Sequence, residues 1–340
     1  MPKQVIFDKK NVLVAGGAGF IGSHLCDELV KTCKVICVDN FSTGSERNID
    51  HLLSNPDFVF INKDVTKPIN WFDLPELKKF KIEFQGVQEI YNLACPMSPL
   101  HFLENRLPTV LANSVGVLNL MEMAAAYKAK VMHFSSSVVY GPRQSENPIH
   151  KLREDELGTF DHLSERGSYD EGKRFAETIV ANYREIYKID AKIVRLFRVY
   201  GPRMELGDDQ MIPDFINDAL DGKDLTIFGD DRFSSSFCYI EDAVDGIMKF
   251  MNSKQAGPIN IGSDVDVNLT DLAMMIIREI GSESKIVYGD SRIFITELTL
   301  PDIKKAKEEL SWMPVVTLEN GLKKTIFSLQ AQKRLRAFQV

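Results

Sequence analysis

Residues 11–24 read NVLVAGGAGFIGSH, a short apolar run that enters a glycine-rich turn. The apolar run predicts a buried β-strand over 11–15, and the pattern after the turn predicts a helix that ends near Lys31. Three glycines recur with the spacing G-x-x-G-x-x-G, at Gly16, Gly19 and Gly22. Such a turn lets the backbone approach a pyrophosphate, which then lies at the helix N-terminus. The stretch therefore predicts the first strand, turn and helix of a dinucleotide-binding fold.

The acidic residue after the second strand indicates which dinucleotide is bound. The next apolar run, Lys34–Asp39, ends 17 positions after Gly22. A carboxylate at this place can accept a hydrogen bond from the adenosine ribose, and it repels a 2′-phosphate. Asp39 could alternatively be a turn residue before Asn40, but the complete strand–turn–helix–strand unit favours the binding role. We therefore expect NAD, and not NADP, as the cofactor.

Strands and helices alternate through the first two thirds of the chain. Further apolar runs predict strands at 58–62, 88–94, 130–134 and 191–197, and helical patterns lie at about 104–127 and from Tyr169 onward. This alternation predicts an α/β protein with a Rossmann-like, doubly wound parallel sheet and an active site at the carboxyl ends of the strands. Beyond about residue 200 the regular alternation lapses, and the region up to about 233 is richer in Gly, Asp and Pro. We expect a smaller C-terminal substrate-binding lobe there.

The expected domains are intertwined along the chain. Residues 1–190, with 236–262 returning to them, are expected to form the NAD-binding Rossmann domain. Residues 191–235 and 263–340 are expected to form the substrate-binding lobe. A chain of 340 residues is long enough to bury a large core in this arrangement.

Composition excludes several classes of protein. Hydrophobic residues make up 44% and charged residues 26%, as in ordinary soluble enzymes. A net charge of −7 provides no basic field for nucleic acid. Five cysteines without paired spacing argue against a disulfide framework and against a zinc site, so no metal is expected. Residues 1–10 do not resemble a signal peptide, and no run approaches about 18 consecutive apolar residues. We expect a cytoplasmic protein that does not span a membrane.

A Tyr-x-x-x-Lys motif supplies the candidate chemistry. Tyr169 and Lys173 are four residues apart, so they lie on one face of a helix. The pKa of a free tyrosine is about 10, and a neighbouring ammonium lowers it. Tyr169 could then take a proton from a sugar hydroxyl while hydride leaves the same carbon. For the motif alone, a packed tyrosine above a solvated lysine is the more common explanation, and the surrounding fold is what favours catalysis.

A run of serines ends the predicted strand at 130–134. Serine at a strand end is often only a turn or cap residue. Because Tyr169 follows on the next helix, we expect Ser136 to present its hydroxyl to the substrate.

Together these motifs are similar to the extended short-chain dehydrogenase/reductases that modify nucleotide sugars, the NAD-dependent epimerase/dehydratase family. The similarity runs over nearly the whole chain. Within the family, three segments resemble UDP-glucuronate decarboxylases (UDP-xylose synthases): NLACPMSPLH at 92–101, ERGSYDEGKR at 165–174 and YGPRM at 200–204. The segments PDIKKAK at 301–307 and WMP at 312–314 are similar to the C-terminal part of those enzymes.

The resemblance implies roles for individual residues. Tyr169 would take the O4 proton, Lys173 would bind the nicotinamide ribose, and Ser136 would hydrogen-bond the sugar O4. The implied cofactor-binding residues are Gly16, Gly17, Ala18, Gly19, Phe20, Ile21, Asp39, Asn40, Phe41, Ser42, Thr43, Gly44, Asp64, Val65, Leu93, Ala94, Cys95, Ser135, Tyr169 and Lys173. The implied substrate-binding residues are Pro96, Met97, Ser98, Ser137, Arg198, Arg203, Arg232 and Ser235. The expected substrate is a UDP-sugar or another nucleotide-diphosphate sugar.

The sequence also departs from the decarboxylase pattern. Val138 stands where decarboxylases and 4,6-dehydratases carry a glutamate, and a valine cannot move a proton at C5. The decarboxylases also have an arginine just before the Pro-Asp-Ile segment, and it is thought to meet the substrate carboxylate. Residues 295–300 of this chain contain no arginine. Arg198 replaces the usual asparagine, and Ser235 replaces an arginine that usually contacts the diphosphate. We hypothesise that Arg198 supplies the charge that Ser235 lacks.

Three functions remain open at this point. The first is a UDP-glucuronate-decarboxylase-like enzyme, in which C4 oxidation places a ketone β to the carboxylate so that CO2 can leave. The second is a nucleotide-sugar C4 epimerase or 4-dehydrogenase, which needs no chemistry at C5 and so tolerates Val138. The third is a non-catalytic NAD-binding protein. The family commonly forms homodimers through the helix at 104–127 and the helix of Tyr169, so we expect a homodimer.

Overall fold

A seven-stranded sheet organises the structure. The computed structural model describes residues 9–142, 150–229, 231–290 and 300–337. The strands are β1 Asn11–Ala15, β2 Lys34–Asp39, β3 Phe58–Asn62, β4 Glu89–Asn92, β5 Lys130–Ser136, β6 Ala191–Leu196 and β7 Ile259–Ile261. Their order across the sheet is β7-β6-β5-β4-β1-β2-β3. The sheet is parallel, and the predicted Rossmann-like doubly wound arrangement is confirmed.

The strand order reverses beside β1. Val12 pairs with Val35 of β2 on one side and with Glu89 of β4 on the other. In doubly wound sheets, ligands bind outside the carboxyl ends of the strands at such a reversal. The glycine-rich turn follows β1 directly, so the sequence places it at this point.

Helices flank the strands. They span Phe20–Leu29, Ile82–Gln85, Arg106–Leu111, Val117–Tyr127, Gly167–Tyr187, Met211–Leu220, Ile240–Asn252, Leu269–Ile280, Lys304–Leu310 and Leu318–Ala337. One π-helical turn, Ala112–Gly116, joins the third and fourth of these into a continuous helix. Short 3₁₀ turns lie at Glu46–Asn48, Asp50–Leu52, Trp71–Asp73, Pro75–Phe80 and Ser137–Tyr140.

Outside the seven-stranded sheet, the remaining strands form short pairs. Leu225–Phe228 pairs with Ile286–Gly289, and Lys151–Leu152 pairs with Leu300–Pro301. Within residues 234–239, two short strands pair with different partners. Ser234–Ser235 pairs with Val267–Asn268, whereas Cys238–Tyr239 pairs with Val199–Tyr200. Residues 234–239 therefore change their pairing strand within a few residues. The sequence of this segment does not indicate the change.

The chain forms two compact units. The first contains Met1–Pro96, Leu107–Phe134 and Arg174–Ile193, and the second contains Met97–Arg106, Ser135–Lys173 and Val194–Val340. This division differs from the expected domains, because 97–106, 135–173 and 236–262 belong to the second unit. The chain passes from one unit to the other inside single elements, such as the helix Gly167–Tyr187. A sequence pattern assigns whole elements and does not detect such a passage.

The core of the first unit covers the sheet. All five residues of β1 are buried. The apolar cluster around them includes Leu13, Ile36 and Ile90 from the strands and Leu120 and Val180 from the helices. Strands that are covered on both faces are nearly continuous apolar runs, and this explains why their positions could be predicted.

One helical stretch, Arg106–Tyr127, is long and apolar enough to cross a membrane by length and composition. Half of its most apolar window is buried within the protein. Val117, Leu120 and Met121 belong to the core cluster of the first unit. A core helix passes the same compositional test, so the stretch is weak evidence for a membrane span. The expectation that the protein does not span a membrane stays a prediction.

Candidate active site

The glycine turn in the first unit forms a cradle that side chains would fill. Gly16 has a φ of 79°, and a Cβ atom on it would lie 2.9 Å from the backbone nitrogen of Ala94. A Cβ atom on Gly22 would lie 2.2 Å from the carbonyl oxygen of Gly16. Gly19 is the N-cap of the helix Phe20–Leu29, whose first N–H groups are therefore open to an anion. The turn fits the pyrophosphate of a dinucleotide.

Asp39 is held at the end of β2 by backbone donors. The N–H of Ala18 donates to its Oδ2 at 3.0 Å, and the N–H of Phe41 donates to its Oδ1 at 2.9 Å. Burial raises the pKa of Asp39, and these N–H groups oppose that effect. A Cβ atom on Gly44 would lie 3.1 Å from both carboxylate oxygens, so the glycine leaves room beside the carboxylate. The remaining lone pairs of Asp39 suit ribose hydroxyls.

The other predicted cofactor residues of the first unit lie in turns after strands. Asn40 Oδ1 accepts the N–H of Ser42 at 3.0 Å, and Phe41 stacks on Phe60. Asp64 Oδ1 accepts the N–H of Thr66 at 2.8 Å, which makes Asp64 a turn residue. The predicted cofactor positions 16–21, 39–44, 64–65 and 93–95 all lie in this unit, whereas Ser135, Tyr169 and Lys173 lie in the other.

Cys95 accepts a hydrogen bond that no sequence pattern predicts. Asn113, in the π-helical turn, donates from Nδ2 to the sulfur of Cys95 at 3.2 Å and to the carbonyl of Thr109 at 2.9 Å. Single π turns inside helices are frequent at functional sites. No local pattern marks such a turn in the sequence, because the helical periodicity continues through it.

The predicted catalytic residues all lie in the second unit. Ser136 ends β5, and its Oγ accepts the N–H of Val138 at 3.4 Å as the cap of the 3₁₀ turn. Tyr169 and Lys173 lie in the first two turns of the helix Gly167–Tyr187, as predicted. Tyr169 is 8% exposed and Lys173 is 5% exposed, and the Lys173 Nζ lies 5.8 Å from the centre of the Tyr169 ring. The lysine is therefore not solvated. This excludes the more common explanation of the motif, in which a packed tyrosine lies above a solvated lysine.

The serines next to Ser136 are buried. Ser135 and Ser137 are nearly inaccessible, and Val138 is buried beside them. Tyr140 closes the segment by donating to Asn260 Oδ1 at 2.7 Å. Burial raises the pKa of Tyr140 to about 12, so this phenol stays protonated at neutral pH. No acid occupies position 138, where proton transfer to C5 would need one.

Arg198 lies where β6 ends and has a cationic neighbour. Its carbonyl accepts the N–H of Cys238 at 2.8 Å, which fixes the backbone. Burial first, and then the positive charge of Arg166, lower the pKa of Arg198 to about 10. Arg166 itself pairs with Asp170, Nη2 to Oδ1, at 3.1 Å. Two guanidinium groups close together favour an anion between them.

The remaining predicted substrate residues are divided between the units. Pro96 lies in the first unit, and Met97, Arg203 and Arg232 lie in the second. Ser235 is buried and contributes no charge. Of residues 295–300, where the sequence lacks an arginine, 295–299 lie outside the described residues.

A cavity of about 280 Å³ lies in the second unit. Met211, Phe215 and Phe228 form apolar parts of its wall, and Asp214 lies among them. Burial, and then the charge of Asp209, raise the pKa of Asp214 to about 7. Most of its wall comes from residues 207–228, and Leu269 completes it.

The comparison with known proteins decides the family. Residues 12–262 match the model of the NAD dependent epimerase/dehydratase family. The chain belongs to this family. The resemblance inferred from the motifs is confirmed, and the chain is an NAD-dependent enzyme. The glycine cradle and Asp39 in the first unit agree with that cofactor.

Relatives of this family member at the sequence level include enzymes named UDP-glucuronic acid decarboxylase. It is 36% identical to UDP-glucuronic acid decarboxylase 1 of Xenopus tropicalis over 94% of this chain and 72% of the relative. It is 38% identical to UDP-glucuronic acid decarboxylase 6 of Arabidopsis thaliana over 92% of this chain and 86% of the relative.

Solved structures similar to this family member include epimerases. UDP-glucose 4-epimerase of Thermotoga maritima, solved with UDP-glucose, has a TM-score of 0.82 and 27% identity and covers 95% of this chain and 99% of its own. UDP-glucuronic acid 4-epimerase of Bacillus cereus, solved with UDP-glucuronic acid and NAD, has a TM-score of 0.81 and 29% identity over the same shares.

Metal chemistry has no candidate ligands in the described part of the chain. Within 9–142, 150–229, 231–290 and 300–337, no three His, Cys, Asp or Glu side chains are grouped to hold an ion. The five cysteines are free thiols.

Proposed function

We propose that this enzyme oxidises a UDP-sugar at C4 and that its substrate is UDP-glucuronate, as in UDP-glucuronate decarboxylases. The observation that carries the proposal is the burial of Tyr169 and Lys173 side by side, in the same unit as Ser136. The relatives named as decarboxylases support it, because the similarity extends over more than nine tenths of the chain.

Each residue of the proposed site has a separate task. Bound NAD supplies the acceptor for the hydrogen that leaves C4. Tyr169 removes the O4 proton, and the nearby charge of Lys173 stabilises the resulting phenolate. Ser136 donates to the sugar O4 and fixes its distance from Tyr169. A ketone at C4 then lies β to the carboxylate, so CO2 can leave with the electrons going into an enolate.

Val138 favours a second candidate function. Proton delivery to C5 after loss of CO2 needs an acid, and Val138 is a buried valine. A C4 epimerase removes and returns hydrogen at C4 alone and needs no such group. The structural neighbours named as 4-epimerases support this alternative.

Incubation with UDP-glucuronate and NAD+ separates the candidates. Release of CO2 with formation of a UDP-pentose is expected for a decarboxylase. Formation of UDP-galacturonate without CO2 would replace this function with epimerisation. Net formation of NADH with a 4-keto product would indicate a dehydrogenase. Binding of both compounds without any product would contradict catalysis at this site.

Arg198 is expected to bind the diphosphate of the substrate. Arg198→Ala should weaken the binding of UDP-glucuronate and of UDP alike by about 10- to 100-fold, the cost of losing a hydrogen bond to a charged group. Isothermal titration calorimetry measures both affinities. Arg153→Ala is the matched control, since Arg153 is an exposed arginine paired with Asp155. Unchanged affinity in the Arg198 variant would refute the diphosphate role.

The exposed apolar residues of the first unit support a homodimer. Leu107 and Leu118 on one helix, and Phe175 and Ile186 on another, expose large apolar side chains. Apolar surface of this kind commonly marks a protein–protein interface. A measured mass equal to one chain of 38.5 kDa at micromolar concentration would contradict the dimer. We also propose a cytoplasmic location, supported by the free thiols.

A further inference from the structure

Two segments that are distant along the chain meet through one buried hydrogen bond in the second unit. Ser98 Oγ donates to Oδ1 of Asp208, which lies 110 residues further along the chain. Ser98 is 4% exposed and Asp208 is 8% exposed. A buried carboxylate is stable only when donors replace the water that it has lost. The bond therefore fixes both segments.

Further hydrogen bonds complete this cluster. Gln210 Nε2 donates to Oδ2 of Asp208 at 3.0 Å, so both carboxylate oxygens have donors. The backbone N–H of His101 donates to Ser98 Oγ at 3.2 Å. The hydroxyl of Ser98 thus accepts a hydrogen bond from its own segment and donates one to Asp208. Loss of Asp208 would leave Ser98 and Gln210 without their acceptor.

The segment held in this way follows β4 along the chain. Residues 97–106 connect the end of that strand to the helix that begins at Arg106. Met97 exposes 44% of its surface beside the buried Ser98. Ser98 itself, expected from the sequence to bind substrate, has its hydroxyl engaged by Asp208. The anchored serine is therefore the direct neighbour of an exposed side chain.

We propose that Asp208 is a positioning residue, which through Ser98 holds segment 97–106 in the conformation that binds the nucleotide sugar. The inference rests on the proposed function for its ligand. It assigns Ser98 an anchoring role in place of direct contact with the sugar. It also assigns a role to Asp208, which lies in a Gly- and Asp-rich loop and belongs to no recognised sequence motif.

The charge around Asp208 gives the anchor a pH dependence. The ionisable groups that act on Asp208 are His101 of the anchored segment and the adjacent Asp209, and Asp208 in turn acts on Asp214 of the helix Met211–Leu220. Burial raises the pKa of Asp208, and the hydrogen bonds from Ser98 and Gln210 oppose that effect. Protonation therefore starts at a higher pH than in an exposed aspartate. Affinity for the nucleotide sugar should fall as the pH drops towards this raised pKa.

The test compares Asp208→Ala, Ser98→Ala, the double variant and Asp208→Asn. The two single alanine variants should weaken UDP-glucuronate binding about tenfold or more, as expected for a lost hydrogen bond to a charged group. The double variant should be no weaker than Asp208→Ala, because loss of the carboxylate already removes the bond to Ser98. Asp208→Asn keeps an acceptor oxygen, so it should bind better than Asp208→Ala and lose the dependence at acid pH.

Two further measurements separate anchoring from general damage. Hydrogen exchange at the amide of His101 reports on the segment without any ligand and should speed up in Asp208→Ala, which leaves the Ser98 acceptor of that amide in place. Affinity for NAD should stay close to that of Asp266→Ala. That control removes a similar serine–aspartate bond, from Ser234 Oγ to Asp266 Oδ2 at 3.0 Å, which is exposed on the same unit.

The outcomes that overturn the proposal are distinct. Unchanged exchange at His101 in Asp208→Ala would show that the carboxylate does not hold the segment. Faster exchange with unchanged affinity for UDP-glucuronate would show that the segment does not serve the ligand. Wild-type protein that binds neither UDP-glucuronate nor UDP would overturn the proposed function, and with it the task given to the segment, whatever the exchange shows.

Discussion

Tyr169→Phe is expected to lower turnover about 10³-fold, the range found when a general acid or base is removed. Phenylalanine keeps the ring that packs beside Lys173, so the fold and NAD binding should persist. The lost hydroxyl is the only group proposed to take the O4 proton. Single-turnover kinetics with UDP-glucuronate measure the loss at the oxidation step itself.

Tyr187→Phe is the matched control for this experiment. Tyr187 lies at the end of the same helix, is half exposed, and stacks on Tyr183. Its variant should keep wild-type turnover. If Tyr169→Phe also retained most of its activity, the phenol would not be the base, and the proposed chemistry would be wrong.

Gly22→Ala is expected to weaken NAD binding by up to about 100-fold, which corresponds to the upper part of the 1–3 kcal/mol typical of an overpacked site. The added Cβ atom would lie 2.2 Å from the carbonyl oxygen of Gly16 and 2.8 Å from the Cα of Gly17. Both obstacles are backbone atoms, so no side chain can turn away. The turn itself must move, and with it the N–H groups that face the pyrophosphate.

Calorimetric titration with NAD and thermal unfolding test this second prediction. Gly257→Ala is the control, because its Cβ atom would meet only the flexible end of Lys305, at 3.5 Å. That variant should bind NAD normally. Wild-type affinity in Gly22→Ala would mean that the turn tolerates the shift and does not set the position of the pyrophosphate.

Local patterns were enough to predict the sheet and the cofactor turn. The strand at Asn11–Ala15 is a continuous apolar run because both of its faces are covered, and the steric limit at Gly22 comes from the backbone of Gly16 in the same turn. Tyr169 and Lys173 are one helical turn apart, so their proximity follows from the helix alone. Each of these features is encoded by neighbours in the chain.

Features that join distant residues could not be predicted in this way. Ser98 and Asp208 are 110 residues apart along the chain, and neither segment has a periodic pattern that predicts their hydrogen bond. The substrate-binding role expected for Ser98 came from the family resemblance, and it stays a prediction. Separation along the chain also explains why Arg166 was not recognised as the neighbour of Arg198.

The sequence by itself determined the family, the parallel sheet and the NAD turn, because strand period, glycine spacing and helical spacing act over a few residues. Only the tertiary structure decided which polar side chains are buried and which partners they contact. Lys173 is buried beside Tyr169, and the hydroxyl of Ser98 is committed to Asp208. Burial and pairing depend on atoms that the chain brings together from far apart, and a linear pattern does not record them.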